Sequence, residues 1–158
     1  MGTDEIKGWL GSYQGLKLEY DTWYERWARL DNEQYIPAMR EGDGSKRNPG
    51  ASDRMGNATL RRMDFEEQTA DDINRIKSGM KSIETAINSL RDPMHRAILK
   101  QRYITGNGRY GLKPWADIAL MLYARCDEVG LKRVRRIFNS AIAELVKREE
   151  NRVEKGNI

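Results

Sequence analysis

The sequence predicts an all-α protein, and two observations carry this prediction. Two series of apolar residues recur at alternating spacings of three and four, which is the period of amphipathic helices. Three shorter helical segments follow, and the loops between them are rich in glycine or polar residues. We therefore expect residues 1–91 to form a long helical hairpin or coiled coil and residues 92–158 to form a trihelical unit.

The two apolar series define the N-terminal half. The first series is rich in aromatic residues: Trp9, Tyr13, Leu16, Tyr20, Trp23, Trp27 and Leu30. The second series is mainly isoleucine: Ile73, Ile76, Met80, Ile83, Ile87 and Leu90. Both keep the seven-residue repeat of a coiled-coil seam. Because two helices cover so many large rings poorly, we expect the chain to self-associate, although an internal hairpin and pairing with a second copy both remain open.

The residues between the two series predict an interruption of the helices. Residues 41–56 contain four glycines, a proline and mixed charges, which is typical of a flexible loop. Pro37 is expected to end or kink a short segment over residues 33–40. Leu60 and Met63 continue the isoleucine series backwards, so we expect the second long helix to begin well before that series.

The C-terminal half starts with a clear helix signal. Asp92 is a favourable N-cap and Pro93 suits the first helical turn, so we expect a helix from here through Ile104. A glycine-rich loop over residues 105–113 follows it.

Two further helices complete the predicted trihelical unit. The second starts at Pro114 and places four apolar residues on one face: Trp115, Ile118, Ala119 and Leu122. We expect Trp115 and Ile118 to be structural anchors. A polar turn over residues 125–128 comes next. The third helix is expected to bury four residues: Val134, Ile137, Ala141 and Leu145.

Charge is unevenly distributed along the chain, which has 158 residues and a net charge of +4. Residues 1–91 hold 14 basic and 16 acidic residues, whereas residues 92–158 hold 14 basic and 8 acidic residues. The excess of positive charge therefore lies in the C-terminal half. This asymmetry indicates a polyanionic partner for that half.

A cluster of cations at the start of the third helix indicates that the polyanion is double-stranded DNA. A trihelical unit whose last helix begins with basic side chains is suited to placing them in a major groove. We expect a row of Arg133, Arg136 and Ser140 to enter the groove. The rest of the cluster, Lys132 and Arg135, and the loop residue Arg109 are expected to contact phosphates. Arg125, in the turn before the helix, is a further candidate for DNA contact, and which of Arg125, Lys132, Arg133 and Arg136 reach bases is left open.

Motifs that suggest other chemistry lack the context they need. Residues 106–111 match G-x-G-x-x-G, but a helix precedes them where a dinucleotide fingerprint needs a strand. His95 has no Ser or Cys partner arranged for nucleophilic catalysis. With a single histidine and a single cysteine, Cys126, neither a zinc site nor an internal disulfide is expected. We therefore expect no catalysis, no cofactor and no metal.

Composition also bears on where the chain works. No apolar run approaches the roughly 18–20 residues of a membrane span, so no membrane partner is expected. A lone cysteine fits a reducing compartment, so we expect a cytoplasmic protein.

Two stretches of the C-terminal half resemble a phage and prophage family of small regulators. Residues 92–104 end in Arg-Tyr-Ile, and residues 114–119 contain Trp-x-x-Ile-Ala. Both patterns are similar to RinA-like or ArpU-like activators of late phage transcription, whose helix-turn-helix is like region four of bacterial sigma factors. The resemblance covers residues 52–146. It implies that the chain works in the cytoplasm of a bacterial host cell, where it binds DNA near a phage late promoter and engages host RNA polymerase.

Two departures from this family concern the loops around the second helix. About five extra residues, near 126–130, separate Tyr123 from the recognition helix, and the loop over residues 106–113 is longer than usual. The start of the recognition helix is therefore left open by about one turn.

Two other functions remain open. A small-terminase-type subunit for phage DNA packaging also joins a helix-turn-helix to an oligomerising helical hairpin. A helical protein-binding adaptor needs no DNA contact. Ring formation would favour packaging, a dimer or a polymerase complex would favour the regulator, and absent or salt-insensitive DNA binding would favour the adaptor.

Overall fold

The computed structural model describes residues 1–32 and 50–156, with side chains described for 1–32 and 56–155. This part of the chain is all-helical and contains no strand, which confirms the predicted fold class at that level. The helices are α1 (Thr3–Asn32), α2 (Gly50–Asn88), α3 (Pro93–Leu99), α4 (Trp115–Tyr123) and α5 (Glu128–Gly156). A π-helical turn, Lys100–Thr105, continues α3.

The long helix α2 begins earlier than the glycine content suggested. Residues 50–56 are helical, so the predicted loop over 41–56 is wrong for that stretch. The reason is that a long helix tolerates an internal glycine at a cost of only about 1 kcal/mol. Residues 41–49, Pro37 and the predicted segment 33–40 lie outside the described residues.

The structure forms two compact units that do not follow the predicted division between residues 91 and 92. One unit, here called the core unit, consists of residues 1–18 and 77–158. The other, here called the aromatic unit, consists of residues 19–76. The division differs because the first turns of α1 and the last turns of α2 share a hydrophobic core with α3, α4 and α5.

A single apolar cluster fills the core unit. Its buried residues come from every helix of that unit: Ile6, Leu10, Tyr13, Ile83, Ile87, Leu90, Ile98, Leu99, Tyr103, Ile118, Ala119, Val134, Phe138, Ala141, Ile142 and Leu145. Helices α3 and α4 both pack against α5. On α1, Ile6 and Leu10 are fully buried, whereas the predicted Trp9 is only partly buried. This part of α1 therefore packs against several helices at once. Its buried side is wider than the narrow seam by which a coiled-coil helix contacts a single partner.

Helix α5 buries a slightly different face from the predicted one. Val134, Ala141 and Leu145 are buried as expected. Ile137 is only partly buried, and Phe138 takes its place in the core. Phe138 packs edge-on against the ring of a tryptophan of α4, with centroids 4.7 Å apart, and this contact turns α5 towards α4.

The predicted helix starts in the C-terminal half are confirmed. The Asp92 carboxylate accepts a hydrogen bond from the Met94 backbone N–H at 2.8 Å, and Pro93 is the first residue of α3. Pro114 directly precedes α4. Both prolines occupy positions where the missing N–H costs no helical hydrogen bond.

In the aromatic unit, two tryptophans of α1 donate hydrogen bonds to α2. Trp23 Nε1 donates to Thr69 Oγ1 at 2.8 Å, and Trp27 Nε1 donates to Glu66 Oε1 at 2.7 Å. The Trp23 ring also stacks on Phe65, with centroids 6.0 Å apart. The later residue of α1, Trp27, contacts the earlier residue of α2, Glu66, so the two segments run antiparallel within this unit.

The backward extension of the isoleucine series is wrong in register. Ala58 and Phe65 are buried, whereas Leu60 and Met63 are 58% and 54% exposed. Ala58 and Phe65 are seven residues apart, so they keep the repeat on the inner side of α2, and the other two residues point away from it.

A buried glutamine joins α1 to the end of the π-helical turn in the core unit. The Gln14 side chain is 4% exposed, and its Nε2 donates to the carbonyl oxygens of Tyr103 at 2.6 Å and Ile104 at 2.8 Å. Carbonyls at the end of a helix lack partners within the helix. Gln14 therefore satisfies two acceptors that would otherwise be buried without a hydrogen bond.

The loop after this turn is closed by hydrogen bonds rather than open. Asn107 Oδ1 accepts from the backbone N–H groups of Arg109 at 2.8 Å and Gly111 at 3.1 Å. The Asn107 N–H donates to the Gly111 carbonyl oxygen at 3.0 Å. Gly106 has φ +61 and ψ −158, a conformation that is essentially restricted to glycine. A Cβ at Gly106 would overlap the Gly111 carbonyl and lie 2.9 Å from the Gln14 side chain.

The two left-handed glycines of this loop provide a matched pair of variants. Gly106→Ala should destabilise the core unit by about 1–3 kcal/mol from backbone strain, with an additional cost from the overlap at Gln14 and Gly111. Gly108 also has a positive φ, but a Cβ there meets nothing within 4 Å, so Gly108→Ala should carry only the strain. Denaturant unfolding of both variants measures the difference. Equal losses would show that the close approach at Gly106 contributes nothing.

Candidate nucleic-acid interface

The turn between α4 and α5 fixes where the basic helix begins. Helix α4 ends at Tyr123, and Ala124 follows in the left-handed conformation with φ 52. Helix α5 begins at Glu128, so four residues connect the two helices. Residues 128–130, part of the segment near 126–130 whose structure the sequence left open, form the first turn of α5. The predicted turn over 125–128 is accurate except that Glu128 is already helical.

Asp127 caps the start of α5. Its Oδ1 accepts from the Gly130 N–H at 3.0 Å, which satisfies a donor in the first turn that has no partner within the helix. Gly130 is buried, and a Cβ there would lie 2.8 Å from the Arg125 carbonyl oxygen. The close approach of the turn therefore requires a residue without a side chain at position 130.

The capping carboxylate also holds Arg125. Arg125 Nε donates to Asp127 Oδ1 at 2.8 Å, and its Nη2 pairs with Oδ2. The hydrogen bond from Arg125 lowers the pKa of Asp127, and the Gly130 N–H lowers it further. The same bond raises the pKa of Arg125. Arg125, a predicted DNA contact, is thus held at the turn by an acidic neighbour.

The exposed face of α5 is set by its buried residues. Val134 and Phe138 are buried, and successive helical residues rotate by about 100°, so Arg136 lies opposite the core. Lys132 and Ser140, four residues before and after Arg136, share its outer face and are exposed. Arg133 is also exposed and lies only about 60° from Arg136 around the helix, so it belongs to the same outer face.

All three residues of the expected row, Arg133, Arg136 and Ser140, are exposed. Arg133 also contacts an aromatic ring of α4. Its guanidinium lies 5.1 Å from the centroid of the Tyr123 ring, within the range of a cation–π contact. Arg133 therefore bridges α5 and α4.

The remaining predicted DNA contacts differ in whether their charges are paired within the protein. Lys132 Nζ pairs with Glu128 Oε1 at 2.7 Å, and both side chains are mostly exposed. Arg135 and Arg136 are exposed and form no ion pair or side-chain hydrogen bond with the described residues. Arg109 is exposed in the loop before α4, and only its backbone N–H is bonded. The charges of Arg135, Arg136 and Arg109 are thus available to an external partner.

The two predicted structural anchors of the trihelical unit differ in burial. Ile118 is fully buried, but Trp115 is only partly buried. The Arg102 guanidinium lies 4.2 Å from the Trp115 ring centroid, and its Nη1 donates to the Lys113 carbonyl oxygen. Burial lowers the pKa of Arg102. Arg102 was missed in the sequence because an arginine in a helix carries no signal of a stacking partner far along the chain.

His95 has a packing role. Its Nδ1 lies 2.8 Å from Glu144 Oε2, which joins α3 to α5. Glu144 also accepts from the Arg91 N–H at 3.0 Å, and this bond is the largest cause of its lowered pKa. Within the described ranges, no group of three or more His, Cys, Asp or Glu side chains is arranged to hold a metal ion.

Comparisons with known proteins give no relative on which to base a function. No family model matches this chain, and no curated protein or solved structure matches it significantly. Among the described residues, no helix has both the length and the apolar character that crossing a membrane requires.

The Asp127 cap generates a pH-dependent prediction. Since the folded protein lowers the pKa of Asp127, its carboxylate stabilises the fold fully above the ordinary value of 3.8, and this contribution is lost as pH falls through the lower folded value. Asp127→Asn keeps a capping oxygen but has no charge for Arg125. Wild type should therefore melt above Asp127→Asn at pH 6, and the gap should narrow at pH 3. A constant gap in thermal melts would contradict the ionic role of Asp127.

Proposed function

We propose that this chain binds double-stranded DNA sequence-specifically, with α3, α4 and α5 acting as a helix-turn-helix and the first half of α5 lying in the major groove. The observation that carries this proposal is the outer face of α5, where Arg136 lies opposite the buried Val134 and Phe138 with no acidic partner among the described residues. An unpaired guanidinium there can bond a base edge without first breaking an ion pair.

The distribution of charge along α5 supports the same use of the helix. Residues 129–143 contain four basic residues and no Asp or Glu, whereas acidic residues return from Glu144 onwards. The absence of carboxylates over these four turns removes repulsion against phosphates where a groove would bring them closest. Beyond residue 143, glutamates pair with the arginines, as Glu149 does with Arg152 at 3.7 Å.

Phosphate contacts would come from the flanks of this face. Arg135 is free, Arg133 lies against Tyr123, and Arg109 projects from the loop before α4. In helix-turn-helix proteins such residues fix the register of the recognition helix on the duplex and carry no sequence information. Arg125 contributes to the phosphate contacts only if its guanidinium binds a phosphate while it also stays paired with Asp127.

The biological role we propose follows the family resemblance: activation of late phage transcription together with host RNA polymerase. Self-association belongs to this proposal, because a single helix-turn-helix binds a short site weakly and two linked copies gain affinity through effective concentration. In the aromatic unit, Leu60 and Met63 lie three residues apart on α2, are more than half exposed and offer apolar side chains to a second copy.

Arg136 provides the direct test of DNA binding. Arg136→Ala should weaken binding to a selected duplex by about 1–3 kcal/mol, because one base contact is lost. Arg152→Ala, at the far end of α5, is the matched control and should bind like wild type. Fluorescence anisotropy titrations at several salt concentrations measure both variants, and wild-type affinity should fall steeply with salt. If Arg136→Ala binds as tightly as wild type at equal salt, α5 does not read DNA through its outer face.

Self-association is tested by variants that leave the tryptophan contacts intact. Leu60→Glu combined with Met63→Glu places two charges on exposed positions, so the fold should persist while the oligomer dissociates. Light scattering gives the mass, and circular dichroism checks that helix content is retained. A wild-type monomer at tens of micromolar would contradict self-association. A ring of many copies would instead favour the packaging function.

A further inference from the structure

A valine stands on the outer face of α5, which otherwise carries mainly basic and polar side chains. Val129 is the second residue of the helix and is 55% exposed. Its neighbours on both sides are fixed, since Asp127 caps the helix and the buried Gly130 packs against the Arg125 carbonyl. The backbone that carries Val129 is therefore held in place before any partner binds.

Val129 and Arg136 lie on the same side of the helix. They are seven residues apart, which is close to two full turns, so their directions differ by only about 20°. Along the helix axis they are separated by roughly 10 Å. This separation corresponds to about three base pairs, since successive base pairs of a duplex are roughly 3.4 Å apart.

The two side chains suit different base edges. A valine side chain has no hydrogen-bond donor or acceptor, so in the major groove it can distinguish bases only through the thymine methyl group. An arginine forms paired hydrogen bonds with O6 and N7 of guanine. Valine in a helix is largely restricted to one rotamer, so little side-chain entropy is lost when it packs against a methyl group.

The geometry points to a DNA site in which Val129 contacts the C5-methyl group of a thymine and Arg136 contacts a guanine about three base pairs away. This inference rests on the proposed function and adds the chemistry of the bases that are read. It makes Val129 a specificity-determining residue, although valine carries none of the charge that marks the rest of this surface.

The test uses the full-length chain and duplexes selected by it from a random library. The selected sites should share a thymine and a guanine separated by about three base pairs. Replacing that thymine with deoxyuridine removes only the methyl group and keeps the base pairing. Wild-type affinity should then fall about fourfold, which is what loss of one buried methyl group of about 0.8 kcal/mol gives.

Three variants separate a specific role of Val129 from a general effect. Val129→Ala should bind the thymine and deoxyuridine duplexes nearly equally. Val153→Ala, which alters a similarly exposed valine near the end of α5, should keep the wild-type preference for thymine. Arg136→Ala should lose the preference for guanine while keeping the preference for thymine over deoxyuridine.

The outcomes distinguish this inference from the proposed function. If the chain binds no duplex specifically at low salt, the proposed function fails and the inference fails with it. If specific binding occurs but wild type does not discriminate thymine from deoxyuridine, only the inference is overturned. Retention of that discrimination by Val129→Ala overturns it as well.

Discussion

The buried amide of Gln14 is the contact on which the arrangement of the core unit depends. It donates to the carbonyl oxygens of Tyr103 and Ile104, where the π-helical turn ends. Leaving such groups buried without a partner costs about 1–3 kcal/mol each, so α1 and this turn are held together by more than apolar packing. Gly106 approaches the same amide closely, and the direction in which the chain leaves for α4 is thereby fixed.

The C-terminal helices do not form a core by themselves. Ile6 and Leu10 of α1 and Ile83 and Ile87 of α2 are fully buried in the cluster that includes α3, α4 and α5. A unit of fewer than 70 residues buries only a modest share of its apolar surface, and additional helices compensate for this. The exposed face of α5 is therefore supported by segments of α1 and α2 as well, and its position depends on the fold of the whole core unit.

The inner and outer sides of helix α5 differ in chemistry within the same turns. Its inner side, with Val134 and Phe138, contributes to the core, and its outer side in the same turns carries unpaired cations. Further along, Glu144 contacts His95 of α3 and pairs with Arg148 within α5 itself, so its carboxylate already has partners. The first half of α5 thus presents unpaired positive charge on its outer side, whereas in the second half acidic and basic side chains pair with one another.

The sequence by itself determined the helical class, the helix starts at Pro93 and Pro114, and the concentration of positive charge near the C-terminus. These features are local, since caps, proline positions and periodicity act within a few turns. Only the tertiary structure decided that Phe138 rather than Ile137 faces the core, because both fit a helical spacing and the choice depends on the α4 ring opposite. It also decided the burial of Gln14, whose acceptors lie about ninety residues away and leave no trace in the local pattern.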